Sequence, residues 1–205
     1  MNFNGFDKND FNTFKIDGLD DRMEAIQQRI QPKFQAIGDA VSDDLSKMVG
    51  SDMFLHIARH ARRTVNPPRD TWSAYCHNKR GYKKHPHFQI GLWDDNLFIW
   101  LAFIYELPNK SLLAERFLEN IEDIKATVPG NYNISLDHMK NESYQVKDID
   151  LNESLARFKN VKKGEFLIGR NFAPNDPILQ DGQAFLNEVK KTFETLSPLY
   201  KIAMK

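Results

Sequence analysis

Residues Leu97 to Tyr105 read LFIWLAFIY, a nine-residue run that is apolar at odd and even positions alike. A strand with one wet face alternates, whereas a strand apolar on both faces is covered on both sides. The run is far short of the roughly 20 residues a spanning helix needs, so it predicts the central strand of a sheet. His87 to Trp93, just before it, is rich in aromatic and β-branched residues. Asp94-Asp95-Asn96 joins it to a strand running from Asn96 to Leu107, which is hairpin chemistry.

Around this pair the pattern alternates between the two periods. Phe11 to Ile16 alternates as a short strand, and Asp17 is placed to cap a helix carrying Asp20 and Asp21 in its first turn. Leu19, Met23, Ile26, Ile30, Phe34 and Ile37 form one helical stripe, with a kink expected at Pro32. Gly38 and Gly50 bracket a second helix. Met53 to Val65 fits either period; the Asn66-Pro67-Pro68-Arg69-Asp70 turn favours a strand returning at Thr71 to Tyr75. Lys110 to Val128 reads as a helix, Tyr132 to Leu136 as a strand, Asn152 to Val161 as a helix and Glu165 to Phe172 as a strand. Asp176-Pro177 opens a closing helix that buries Phe185, Val189, Phe193 and Leu196. With no regular βαβ unit, the expectation is a single α+β domain over residues 1–205: a largely antiparallel sheet of five or six strands with helices packed on it.

Composition narrows the function classes. The 205 residues are 41% apolar and 27% charged, enough for a full core and not a disordered chain. The single cysteine, Cys76, excludes a disulfide framework and a CxxC zinc site. The start, MNFNGFDKND, is polar and acidic rather than a signal peptide. A cytoplasmic protein without a membrane partner is expected.

The 28 basic and 28 acidic residues cancel overall, but not locally. Between His56 and His87 eight Lys or Arg stand against one acid, Asp70, and five of the six histidines lie in the same window. The block RHARRTVNPPRDTW, followed by NKRGYKKHPH, interleaves cations with Trp72, Tyr75 and Tyr82. Guanidinium forks grip phosphate oxygens, and aromatic rings stack bases. The block therefore points to a phosphate-bearing ligand, nucleic acid or nucleotide, held by Arg59, His60, Arg62, Arg63, Lys79, Arg80, Tyr82 and His87. Set against that is a basic face that simply pairs with acidic helices or stays solvated.

Two other readings stay open. One is an enzyme acting on a small phosphorylated substrate with His60 or His87 as base. The other is an interaction module with a basic face. No Walker loop, GxGxxG, nucleophile elbow or HExxH is present, and the phosphoesterase pattern of paired His-x-Thr/Ser strands fails at His87 and His138. No metal and no cofactor is expected. Cys76, Trp72, Trp93 and Trp100 read as core. The sequence does not set the oligomeric state.

Four strings, FNTFKIDGLDDRM from Phe11, HIARHARRTVNPPRDTW from His56, NKRGY from Asn78 and PHFQIGLW from Pro86, resemble the YktB-like family of uncharacterised proteins from low-GC Gram-positive bacteria. Asp137-His138 and Val161 to Lys163 are also similar. The resemblance covers essentially the whole chain. It implies a compact α+β domain and transfers no catalytic residue.

Overall fold

The computed structural model describes residues 3–205. Its helices are α1 (Lys8–Asn12), α2 (Leu19–Ala25) and α3 (Gln31–Val49), then, after four strands, α4 (Lys110–Glu119) and α5 (Ile121–Thr127), then α6 (Leu151–Asn160), α7 (Pro177–Gln180) and α8 (Gly182–Met204). The strands are β1 (Phe54–Ile57), β2 (Thr71–Cys76), β3 (His87–Leu92), β4 (Leu97–Phe103), β5 (Asn133–Ser135), β6 (Tyr144–Gln145) and β7 (Phe166–Phe172). They form one seven-stranded sheet in the order β1-β2-β3-β4-β7-β5-β6, antiparallel at every pairing.

Register separates the two faces, because directly paired residues point to the same side. Tyr75, Phe88, Leu101, Ile168 and Ile134 form one row across five strands, all buried. This face carries α3, α4, α6 and α8. Phe193 of α8 lies 4.8 Å from Phe88, and Phe117 of α4 lies 5.0 Å from Phe103, ring centre to ring centre. The opposite face reads Trp72, Gly91, Phe98, Asn171 in one row and Ala74, Gln89, Trp100, Gly169 in the next. Its smaller apolar cluster, Phe98, Trp100, Ala102, Ile104 and Leu167, is separate from the helix-covered core. Loops rather than helices border this second face, which is how a sheet keeps polar side chains within reach of a ligand.

The central hairpin and the α+β layering agree with the sequence, and both faces of β4 are buried as its pattern requires. Several elements differ. Residues 11–16 are not a strand: the Asp7 and Asp10 side chains form a capping box, α1 follows, and Thr13–Lys15 continues as a 3₁₀ turn. The cap of α2 is Gly18, at φ +82°, rather than Asp17. Pro32 sits in the first turn of α3, and the disturbance it creates appears just before it as a π-helical turn over Ile26–Ile30. Gly38 does not break the helix; a β-carbon there would lie 2.5 Å from Leu55, so its absence lets β1 approach α3. Gly50 does end it, at φ +79°. Of Met53–Val65 only Phe54–Ile57 is strand; residues 58–70 form a long loop. Asn120 divides the predicted 110–128 helix, and Asp176-Pro177 opens only one turn before Asp181 caps α8. The short β6 raises the strand count to seven.

Candidate functional site

The basic residues do not stay together. Arg59 leaves the end of β1, while Lys79, Arg80, Lys83 and Lys84 ride on the loop 77–86 between β2 and β3. Asn78 ties this loop down: its carbonyl bonds the His56 ring at 3.0 Å, its side-chain amide meets His85 at 3.1 Å, and its Oδ1 accepts the Arg80 amide at 2.8 Å. The result is an open groove of about 800 Å³ lined by these five cations, with His56 and Tyr82 also on its wall. Glu106 is the one acid in the lining, and it faces Lys83 at 3.7 Å. Among the described residues the other four cations make no ion pair, and Lys79 also sits 5.8 Å over the Phe54 ring.

Arg62 and Arg63 do not line this groove. They lie in the 58–70 loop, where Arg62 is exposed and Arg63 donates to the Asn66 carbonyl at 3.3 Å. A strand would have aimed them at opposite faces of the sheet; the loop turns them elsewhere instead. His60, in the same loop, has a left-handed backbone (φ +50°), its Nε2 meets the Thr71 hydroxyl at 3.1 Å, and its ring sits edge-on 5.5 Å from Trp72. Burial, with Arg63 adding to it, pushes its pKa down to about 4, so it is neutral at pH 7.

His87 is completely buried beneath the site. Its Nδ1 lies 2.8 Å from the His85 carbonyl, which can only accept, so Nδ1 carries the proton. Nε2 then accepts from the Gln89 amide, also at 2.8 Å. Both nitrogens are used, and burial lowers the pKa to about 4. His87 is therefore a fixed structural ring that positions Gln89 and Tyr82 rather than a group that meets ligand. Tyr82 packs 4.9 Å from the His87 ring and 5.5 Å from the His56 ring, and its hydroxyl accepts from the Trp72 indole N–H at 2.9 Å. Of the eight candidates, the fold gathers Arg59, Lys79, Arg80 and Tyr82; His60 and His87 support from behind, and Arg62 and Arg63 stand apart. Cys76 is buried with its thiol pKa raised by burial, as a packed strand residue should be.

Trp72 also borders a second, more enclosed pocket on the same face, which the sequence did not reveal. Asp70, Trp93, Asn96, Trp100, Asn171 and His138 contribute to it. They come from four separate segments and form no linear motif, and the tryptophans read as core. Only Trp100 is buried; Trp72 and Trp93 are half-buried at the rim. Burial raises the Asp70 carboxyl to about 6, against the opposing pull of Arg63 and His138. Burial works against charging His138, but its Nδ1–H bond to Glu165, 2.8 Å from both oxygens, outweighs that and raises its pKa.

Asp137, His138 and Glu165 also bring potential metal ligands within 4.8 Å of one another. Glu165 already accepts the backbone amides of Tyr105 at 3.2 Å and His138 at 2.7 Å in addition to the imidazole. Its coordination is thus spent on anchoring the loop after β5 to the start of β7.

Comparison with known proteins agrees with this whole-chain architecture. Residues 6–200 match the model of a domain of unknown function, DUF1054. The chain is 55% identical over 200 residues to a UPF0637 protein of Shouchella clausii, covering 98% of this chain and 95% of the relative. It is 54% identical to one of Oceanobacillus iheyensis, covering 98% and 97%, and 51% identical to one of Listeria monocytogenes over the full length of both. The resemblance read from the sequence, to a family of low-GC Gram-positive bacteria, is thereby supported, and the chain belongs to the DUF1054 (UPF0637) family.

Proposed function

We propose that this protein binds a phosphate-bearing ligand, a nucleotide or a single-stranded nucleic acid, in the groove between the end of β1 and the loop 77–86. The observation that carries the reading is the grouping of Arg59, Lys79, Arg80, Lys83 and Lys84 around one open groove with a single acid, beside the Tyr82 ring. Solvated surface cations usually scatter among acids; here the acid that would neutralise the group is nearly missing. Arg59 and Arg80 would grip phosphate oxygens through paired N–H donors, while the lysines supply mobile charge. Tyr82 and His56 offer rings for stacking a base.

The test is fluorescence anisotropy of a labelled mixed-sequence oligoribonucleotide and of a labelled nucleotide, at about 50 and 200 mM salt. Three phosphate contacts on a single strand weaken binding by roughly tenfold or more across that range, because each contact releases counterion. A variant with Arg59, Lys79 and Arg80 changed to Ala is expected to lose both the binding and its salt slope. Binding that ignores salt, or that survives in this variant, contradicts the reading.

A further inference from the structure

We infer that the enclosed pocket bordered by Asp70, Trp93, Asn96 and Asn171 is a binding site for a primary ammonium group, the charged end of a small amine. The inference does not rest on the phosphate groove. It rests on which hydrogen-bonding ends the pocket leaves over. Asn171 spends its amide N–H₂ on the Ser143 hydroxyl at 2.8 Å, and Asn96 spends its own on Asp95 at 3.1 Å and on Asn141. Their carbonyl oxygens, both shielded from solvent, have no partner among the described residues. Buried acceptors without donors are uncommon and call for an explanation. Among the described residues the Asp70 side chain makes no ion pair, and its one hydrogen bond is to its own backbone amide, although Arg63 and His138 lie near enough to act on its charge.

The three acceptors favour a ligand head with several donors; among the described residues the unpaired neutral donors at the border are the indole N–H groups of Trp93 and Trp100, whereas that of Trp72 is spent on Tyr82. An ammonium group has three N–H donors and no acceptor. The enclosed space is about 20 Å³, close to what one water-sized group occupies, so the head must be small. Trp72, Trp93 and Trp100 supply indole surface at the same pocket, and indole is the aromatic that most favours a cation. His138 and Lys140 also border it: the His138 ring is bonded at Nδ1 to the Glu165 carboxylate, and the Lys140 side chain is exposed. Glu142, also on the border, adds negative charge. An anionic head would instead meet Asp70, Glu142 and two carbonyl dipoles.

Methylammonium chloride is the probe, titrated into the full-length protein against tetramethylammonium chloride at matched ionic strength, with tryptophan fluorescence as the readout. A two-heavy-atom ligand reaches at best millimolar affinity, so the titration extends to about 100 mM. The expected result is a saturable change with methylammonium and none with tetramethylammonium, which is larger and has no N–H. Asp70→Asn, which keeps the shape and removes the charge, is expected to weaken binding at least tenfold, and Asn171→Leu to abolish it. Both variants are checked for native thermal unfolding, and whichever folds carries the test. No saturable response, an equal response to tetramethylammonium, or undiminished binding in a folded variant overturns the site.

Discussion

The indole N–H of Trp72 donates to the hydroxyl of Tyr82 at 2.9 Å, and this bond joins the two sites on the open face of the sheet. Tyr82 belongs to the wall of the cationic groove and Trp72 to the enclosed pocket. The loop 77–86 is thus fastened to β2 at a point that both sites share. Tyr82→Phe and Trp72→Phe each remove one partner and are expected to cost about 1 kcal/mol in urea unfolding. The double variant should cost less than the sum, by about 0.5–1.5 kcal/mol, since the bond is lost only once. Strict additivity would mean the bond contributes nothing to holding the loop.

Asp70 sets one arm of the pH dependence. Its folded pKa, raised to about 6, lies above the ordinary carboxylate value. Between those values the folded state holds a proton that the unfolded state has released. Its contribution is therefore favourable in acid and is lost as pH rises toward 6. Asp70→Asn should be more stable than the parent at pH 7.5, by up to about 3 kcal/mol, with the difference vanishing near pH 4. Denaturant midpoints at the two pH values measure it.

His60 and His87 act with the opposite sign in the same window. Both have folded pKa values of about 4, chiefly through burial. Their stabilising neutral state is present above the unfolded value of about 6.5 and is lost as pH falls toward 4. The wild-type acid limb is the balance of these terms and those of Asp70. In His60→Asn, which keeps a residue tolerant of the φ of +50°, stability should fall less steeply between pH 6.5 and 4. An unchanged slope would show that His60 titrates normally in the folded protein.

Gly169 is the point where the open face allows no side chain at all. A β-carbon there would sit 1.9 Å from the Ile99 carbonyl oxygen, a backbone atom of the neighbouring central strand. Gly169→Ala must push β4 and β7 apart, and we expect a loss of about 3 kcal/mol or more. Thermal unfolding of the variant checks this.

How far the sequence spoke depended on how local the cause was. The β3–β4 hairpin was legible because a doubly apolar run and an Asp-Asp-Asn turn are both local signals. The stripe of Phe185, Val189, Phe193 and Leu196 in α8 was legible for the same reason. Phe11 to Ile16 misled, since a six-residue alternation also suits a helical turn that buries Phe11 and Phe14, and a side-chain cap decided between them. The groove was half legible. Charge density marked the window that supplies the groove's cations, but Arg62 and Arg63 parted from Arg59 because residues 58–70 form a loop rather than a strand. His87 looked available in sequence, yet strand register buries it and Gln89 takes its remaining nitrogen. The enclosed pocket was invisible. Asp70, Asn96, His138 and Asn171 meet only through sheet order, and nothing in their spacing announces it.

The central claim is that the groove cations bind phosphate, and anisotropy with the labelled oligoribonucleotide at two salt concentrations tests it most directly. Wild-type protein should bind at about 50 mM salt and weaken roughly tenfold or more by 200 mM. The variant with Arg59, Lys79 and Arg80 changed to Ala should show neither behaviour, while Arg62→Ala, away from the groove, should match wild type. If the oligoribonucleotide and the labelled nucleotide both fail to bind wild-type protein at the lower salt, or if Arg62→Ala removes binding and the groove variant does not, the account is contradicted.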